Sequence, residues 1–258
     1  MDEFLPLAKR LADEAGEIAR QYFRTPFEVI SKDDDSPVTI ADREIEARMR
    51  EILEDERPQD GIHGEEHGIK KSESGLTWVL DPIDGTKSFV IGRATFGTLI
   101  ALCEDNAPKL GVIDQPILKE RWIGNGQKTT YSNFHLGGEF IDRPVKTAKC
   151  SSIDLARIGS TTPAMFGDDI GPVYKNFNEN RFFWGGDCYQ YGLMALGFVD
   201  IILEASMAPY DYCALVPIIK GAGGHISDFK GQPLTIESDG TVAACGDPSL
   251  WSAISEKL

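Results

Sequence analysis

Apolar residues in the first part of the chain recur at helical spacing. Phe4, Leu7, Ala8, Leu11, Ala15, Ile18, Ala19 and Tyr22 share one face, which predicts an amphipathic helix over residues 4–23 packed on a core. A second helix is predicted from Thr39, with Ile40, Ile45, Met49, Ile52 and Leu53 on its buried side. Asp42, Arg43, Glu44 and Glu46 lie near its start, where acidic side chains complement the positive end of the helix dipole. Between the helices, 27–31 reads as a short strand and 32–35 as a charged loop. The direction of that loop, and with it any reach of Lys32 toward a site, is not set by the sequence.

The period then changes. Residues 78–80 form a short apolar run of the kind that makes a buried strand. It leads into Asp81-Pro82-Ile83-Asp84-Gly85-Thr86, where Pro82 restricts φ and Gly85 tolerates unusual backbone angles. The two aspartates are expected at a strand end, three apart on a turn, so that their oxygens converge on one or two hard cations. A helix opening at Gly85 and Thr86 would add free N–H groups as an anion site beside them. Together these suit a phosphate ester, although the tetrapeptide alone reads more readily as an Asp-Pro turn with a simple cap on a short helix. Segments 96–102, 109–114 and 120–123 follow as three strands of an antiparallel meander.

Residues 124–149 show little periodicity, and the division into an N-terminal α+β part, 1–140, and a C-terminal α/β part, 141–258, is placed there. The second part alternates. Strands are expected at 158–160, 181–184, 201–205, 225–227 and 242–245, and helices at 170–177, 189–196, 212–222 and from Pro248. The class is α/β in layers.

Of the 258 residues 41% are apolar, enough for a substantial core. A formal net charge of -15 argues against nucleic acid or an anionic membrane surface as partner. It does not exclude a phosphate substrate, because bound metal ions invert the local field of an acidic cleft. The five cysteines include no C-x-x-C pair, which suggests a reducing compartment. No N-terminal run resembles a signal peptide and no apolar stretch approaches a membrane span, so a cytoplasmic protein is expected.

The string from Asp81 through Thr86 resembles, at all six positions, the Asp-Pro-Ile/Leu-Asp-Gly-Thr motif of the inositol monophosphatase-like magnesium-dependent phosphatases. Three further segments match that family in order: Thr39-Ile40-Ala41-Asp42, Gly64-Glu65-Glu66, and Pro209-Tyr210-Asp211 before an apolar helix ending in Gly221-Ala222-Gly223-Gly224. Tyr210 stands where the family carries tryptophan. The resemblance implies a five-layer α-β-α-β-α sandwich of the inositol monophosphatase and fructose-1,6-bisphosphatase type, usually a homodimer, acting on a small phosphate monoester with two or three Mg²⁺ ions. It assigns Glu65, Asp81, Asp84, Asp211 and the carbonyl of Ile83 to the metals and the N–H groups of Gly85 and Thr86 to the phosphate. Asp42 and Thr86 would orient the attacking water, with Glu65 as a further proton acceptor and Glu66 as its neighbour.

Without the resemblance, Asp42 and Asp211 read as ordinary helix-terminal carboxylates, Asp211 in the position of an N-cap. His63 and His67, four apart, would suggest zinc on a helix, but the flanking glycines argue against a helix and no third nitrogen or sulfur ligand is evident. In Gly185-Gly186-Asp187-Cys188-Tyr189, Asp187 falls where inositol phosphatases carry a small residue near the substrate, and Glu204 where they carry a substrate-binding glutamate. Two carboxylates there, with Asp211 at the edge of the pocket, would suit a cationic substrate. These strings are most similar to the histidinol-phosphate phosphatase branch. Inositol phosphate, 3′-phosphoadenosine 5′-phosphate and sugar phosphates are the alternative substrates, and a non-catalytic Mg²⁺- or inositol-phosphate-binding protein is the alternative of another class.

Overall fold

The computed structural model of the chain describes residues 1–25, 29–31, 37–133 and 142–258. Phe27 and the charged loop with Lys32 lie outside them. Helix α1, Leu5–Tyr22, follows a 3-10 turn and buries the predicted stripe. Strands β1, Val29–Ser31, and β2, Pro37–Thr39, pair antiparallel ahead of α2, Ile40–Glu56. Ile40 is exposed, contrary to expectation, because the buried face of α2 runs through Ala41, Asp42, Ile45, Glu46, Met49 and Leu53. Ile40 falls with Glu44 and Glu51 on the opposite side of the 3.6-residue turn.

Next come β3, Gly61–Gly64, β4, Ile69–Lys70, β5, Leu76–Asp84, and the short helix α3, Thr86–Val90. Strands β6, Gly97–Glu104, β7, Ala107–Gln115, and β8, Glu120–Gly124, form the predicted meander. Two more, β9, Thr129–Asn133, and β10, Arg143–Pro144, extend it. The sheet order is β10-β9-β8-β7-β6-β5-β3-β4, with β3 parallel to β5. Strand β9 is polar and lacks alternation, so its place is set by pairing with β8 rather than by its own pattern.

The second half holds β11, Ile158–Ser160, α4, Gly167–Ile170, β12, Phe182–Trp184, α5, Tyr189–Ala195, and β13, Ile201–Glu204. It closes with α6, Pro209–Tyr212, α7, Leu215–Gly221, β14, His225–Ser227, β15, Val242–Cys245, and α8, Trp251–Ser255. The strands order β12-β11-β13-β15-β14 in a mixed sheet. The helix expected over 170–177 does not form. Gly171 takes a φ of +69° and Pro172 follows, so α4 stops after one turn and the chain resumes as a 3-10 turn at Val173–Asn176. The helix expected over 212–222 is two segments, α6 and α7.

Side-chain alternation builds five layers. In the first sheet Trp78, Leu80, Ile100 and Leu102 face α1 and α2, while their neighbours Val79, Leu99, Ala101 and Cys103 face α5 and α7. Those two helices also cover Ile202, Val242 and Ala244 of the second sheet, whose opposite face meets Phe166, Leu250 and Ile254. Each fully buried large side chain contributes roughly 1.5–3 kcal/mol of transfer free energy. The order is α-β-α-β-α. Among the described residues no helix is long and apolar enough to cross a membrane.

Candidate active site

The two motif aspartates lie at the C-terminal end of β5, as expected, with Asp84 its last residue. On a regular strand, residues three apart face opposite sides. Here the ladder to β6 shifts register between Asp81 and Asp84, and Thr98 Oγ1 holds the irregular stretch by donating to the Pro82 carbonyl at 2.8 Å. The shift brings the carboxylates together. Asp211 joins them from α6, and oxygens of Asp81, Asp84 and Asp211 all lie within 4.8 Å of one another. Asp211 is not the N-cap, which is Ala208. It is the third residue of α6, and its Oδ2 accepts the Ala208 N–H at 2.7 Å.

The cluster is electrostatically costly as a set of bare anions. Burial, then the charges of Glu65, Asp84, Asp211 and Asp42, raise the pKa of Asp81 well above the usual carboxylate range. Asp84 is raised in the same way by burial and by Asp187 and Asp211, against the Cys188 N–H, which donates to its Oδ2 at 2.5 Å. Asp81 Oδ1 is buried and accepts no hydrogen bond from any of the described residues. A cation satisfies all of this at once, and a donor set made only of carboxylate oxygens suits a hard divalent ion.

The remaining predicted residues surround the cluster. Asp42 is fully buried on α2, and Glu65 sits in the turn after β3, its N–H donating to the Leu80 carbonyl of β5 at 3.3 Å. Thr86 opens α3, and its hydroxyl donates to the Ile83 carbonyl at 3.2 Å. Gly85 before it has a φ of +86°, and a Cβ there would lie 2.8 Å from Asp187 Cγ. Only glycine fits that conformation and that approach without strain.

Asp187, itself at a φ of +43°, takes the Ser88 hydroxyl at 2.6 Å and that of Thr95 at 3.5 Å on Oδ2, which leaves Oδ1 without a donor among the described residues. Burial raises its pKa, with Ser88 and Arg93 opposing. Glu204 is buried at the end of β13. It accepts from Thr161 N and Oγ1 at 3.1 and 2.6 Å, Gln190 Nε2 at 2.8 Å and Tyr191 OH at 2.9 Å. Burial nevertheless outweighs these donors and pushes it up to about 7. Asp84, Asp187, Glu204, Asp211, Thr161 and Tyr191 line one cavity of ≈ 180 Å³.

A larger cavity, ≈ 380 Å³, opens beside Asp13, Arg20, Asp114 and Arg121. Its buried carboxylate Asp114 is paired with Arg121 at 2.6 Å, so it offers no comparable cluster of unneutralised anions. His63 and His67 do not form a zinc pair: His67 Nε2 lies 3.1 Å from the Arg43 carbonyl, and the His63 ring stands edge-on to Tyr210.

Several positioning groups escape the sequence reading. They include Ser88 and Thr95 under Asp187, the Cys188 amide on Asp84, and Glu46, which contacts the turn carrying Glu65. For Glu46 a signal existed: it lies four residues after Asp42, on the same helix face as Ile45 and Met49.

The model of the inositol monophosphatase family matches residues 1–257. The chain is 43% identical over 270 residues to the bifunctional phosphatase IMPL2, chloroplastic, of Arabidopsis thaliana, covering 100% of this chain and 75% of that one. It is 35% identical to a histidinol-phosphatase of Chlorobaculum parvum, over 93% and 91% of the two chains. A solved inositol monophosphatase from Zymomonas mobilis superposes with a TM-score of 0.85 at 43% identity, covering 99% of this chain and 97% of that one. The motifs, the five layers and these likenesses agree: the chain belongs to the inositol monophosphatase family of phosphatases.

Proposed function

We propose that this phosphatase uses Mg²⁺ to hydrolyse L-histidinol phosphate to L-histidinol and phosphate. The observation that carries the substrate is the pair Asp187 and Glu204, which share one cavity with the metal-type cluster. A phosphate ester seated at Gly85 and Thr86 would extend its other end into carboxylates, which suits an amine and an imidazole. The relatives named histidinol-phosphatase support the same reading. Inositol monophosphate is the second reading, favoured by the likeness to the Zymomonas mobilis structure.

Glu65, Asp81, Asp84, Asp211 and the Ile83 carbonyl would hold two or three Mg²⁺ ions, which supply positive charge to the phosphoryl oxygens and lower the pKa of water. The amides of Gly85 and Thr86 grip the phosphate. The Thr86 hydroxyl and Asp42 orient the attacking water in line with the leaving oxygen, and Glu65 accepts its proton. Asp187 and Glu204 fix the far end of the substrate. The same reading carries a homodimer and a cytoplasmic setting, the latter supported by five free cysteines.

The test is phosphate release from L-histidinol phosphate, inositol 1-phosphate and 3′-phosphoadenosine 5′-phosphate, with Mg²⁺ and with chelator, in wild type and Asp187→Asn. Asparagine is chosen because Asp187 abuts Gly85, and alanine would open a gap under the phosphate loop. A strong preference for histidinol phosphate is expected, with kcat/KM on it reduced about tenfold in the variant, the scale of one charge-assisted contact. Equal losses on every substrate would remove Asp187 as the cation reader, and preference for another substrate would remove the substrate assignment. No release from any of them would favour a non-catalytic ligand-binding protein.

A further inference from the structure

We infer that Glu46 is a positioning residue that sets the metal affinity of the site by clamping the turn that carries Glu65. The inference rests on the reading of Glu65 as a metal ligand. Glu46 lies on α2 one turn after Asp42 and has no exposed surface. Its Oε2 accepts the Glu66 N–H at 2.6 Å, and its Oε1 accepts the His67 N–H at 3.1 Å. The two amides that follow Glu65 are therefore fixed by one carboxylate.

Arg50, one turn further along α2, completes the clamp. Its Nε donates to Glu46 Oε1 at 2.7 Å, and its guanidinium also reaches the Gly68 carbonyl at the end of the turn. On the other side the Glu65 N–H is held by the Leu80 carbonyl. The turn is thus tied to β5 before the ligand residue and to α2 after it. The approach is so close that a Cβ on Gly64 would fall 1.9 Å from Glu46 Oε1.

A fully buried carboxylate is costly unless its oxygens are satisfied. Here two backbone amides and a guanidinium satisfy them, and those donors point to the loop, not to the core. Glutamine cannot substitute, because its NH₂ would face one of the amide donors. Loss of the clamp widens the range of positions open to the Glu65 carboxylate, and groups that orient a metal ligand typically govern ~10–100-fold in affinity.

The test is titration calorimetry of Mn²⁺, as a probe for the hard-cation site, into the full-length chain. Wild type is compared with Glu46→Gln, Glu46→Asp, Glu65→Gln and Asp200→Asn. Asp200 is also a buried carboxylate, paired with Arg157 at 2.8 Å away from the site, and controls for general loss of stability. Glu65→Gln and Glu46→Gln are both expected to weaken Mn²⁺ binding at least ~10-fold. Glu46→Asp, which keeps the charge and two acceptor oxygens on a shorter stem, should recover part of the loss and serves as the folded variant if glutamine is not tolerated. Asp200→Asn should bind as wild type does.

Weakening by Glu65→Gln with both Glu46 variants unchanged would overturn the role of Glu46 alone. An Asp200→Asn effect as large as that of Glu46→Gln would overturn it as well, by showing a general structural loss. Unchanged affinity in Glu65→Gln would overturn the reading beneath both.

Discussion

Glu204→Gln tests the electrostatics of the cavity directly. Glu204 is buried among four protein donors, yet burial wins over them, and its pKa rises from 4.5 in the unfolded chain to about 7 in the fold. A carboxyl raised in this way carries a proton in the folded state that the unfolded state has released. Its contribution to stability is full below 4.5 and is lost as pH rises through about 7. The gap corresponds to roughly 3 kcal/mol of ionisation cost, most of which falls between about pH 5 and about pH 8.

The glutamine variant lacks this titration. Near pH 5 it should be about as stable as wild type, because its carbonyl can take the Oε1 place against Thr161 and Gln190 while its NH₂ faces the Tyr191 hydroxyl, which turns to accept as it would from a protonated carboxyl. On raising the pH to about 8, wild type should lose roughly 2–3 kcal/mol that the variant keeps, which leaves the variant the more stable of the two. The assay is urea unfolding of both proteins across that range with chelator present, so that no metal ion holds the neighbouring Asp81 and Asp84 ionised. Titrations of groups that do not interact with Glu204 cancel in the difference. A difference constant to within ~0.5 kcal/mol, or one of opposite slope, would refute the dominance of burial over the four donors.

Three further outcomes are expected. Asp84→Asn should lower Mg²⁺-dependent turnover by ~10²-fold or more while leaving the melting temperature equal or higher, since one of several crowded anions is removed; wild-type turnover would exclude Asp84 as a ligand. Gly85→Ala should cost about 1–2 kcal/mol for its left-handed backbone alone, read as a drop in melting temperature of several degrees, and, on the proposed role of the Gly85 and Thr86 amides, should raise KM by pushing them away from Asp187. An unchanged melting temperature would show that the loop yields. Asp200→Asn should remove about 2 kcal/mol, less than a wholly buried pair because Arg157 is partly exposed, without changing kcat/KM. Burial raises the Asp200 pKa, but the hydrogen bonds from Arg157 prevail and hold it below 3.8, so this stability is present above 3.8 and is lost as pH falls through the folded value. Denaturation in acid should accordingly begin later in wild type than in the variant.

Much of this protein can be read from its local sequence. The stripe on α1, the alternation along β5 to β8 and the string through Asp81 and Thr86 express periodicity or turn chemistry that neighbouring residues impose on one another. The same local signals break down where local preference is weak. The polar strand β9 exists because β8 offers it a ladder, and the expected helix near residue 170 is lost to Gly171 and Pro172. Ile40 was expected on the buried side of α2 because it is apolar, but the rotation of the helix on the sheet turned it to solvent.

For the site, sequence determined which carboxylates are available, and tertiary structure decided how they meet. A regular strand would have placed Asp81 and Asp84 on opposite faces; the register shift against β6 puts them together and against Asp211, which lies more than a hundred residues away in the chain. Glu46, Ser88, Thr95 and Thr161 acquire their roles only from the groups that folding brings to them. A helix dipole or a β-period acts over a few residues and is written in their order, whereas the burial of a carboxylate and the donors around it depend on the packing of distant layers.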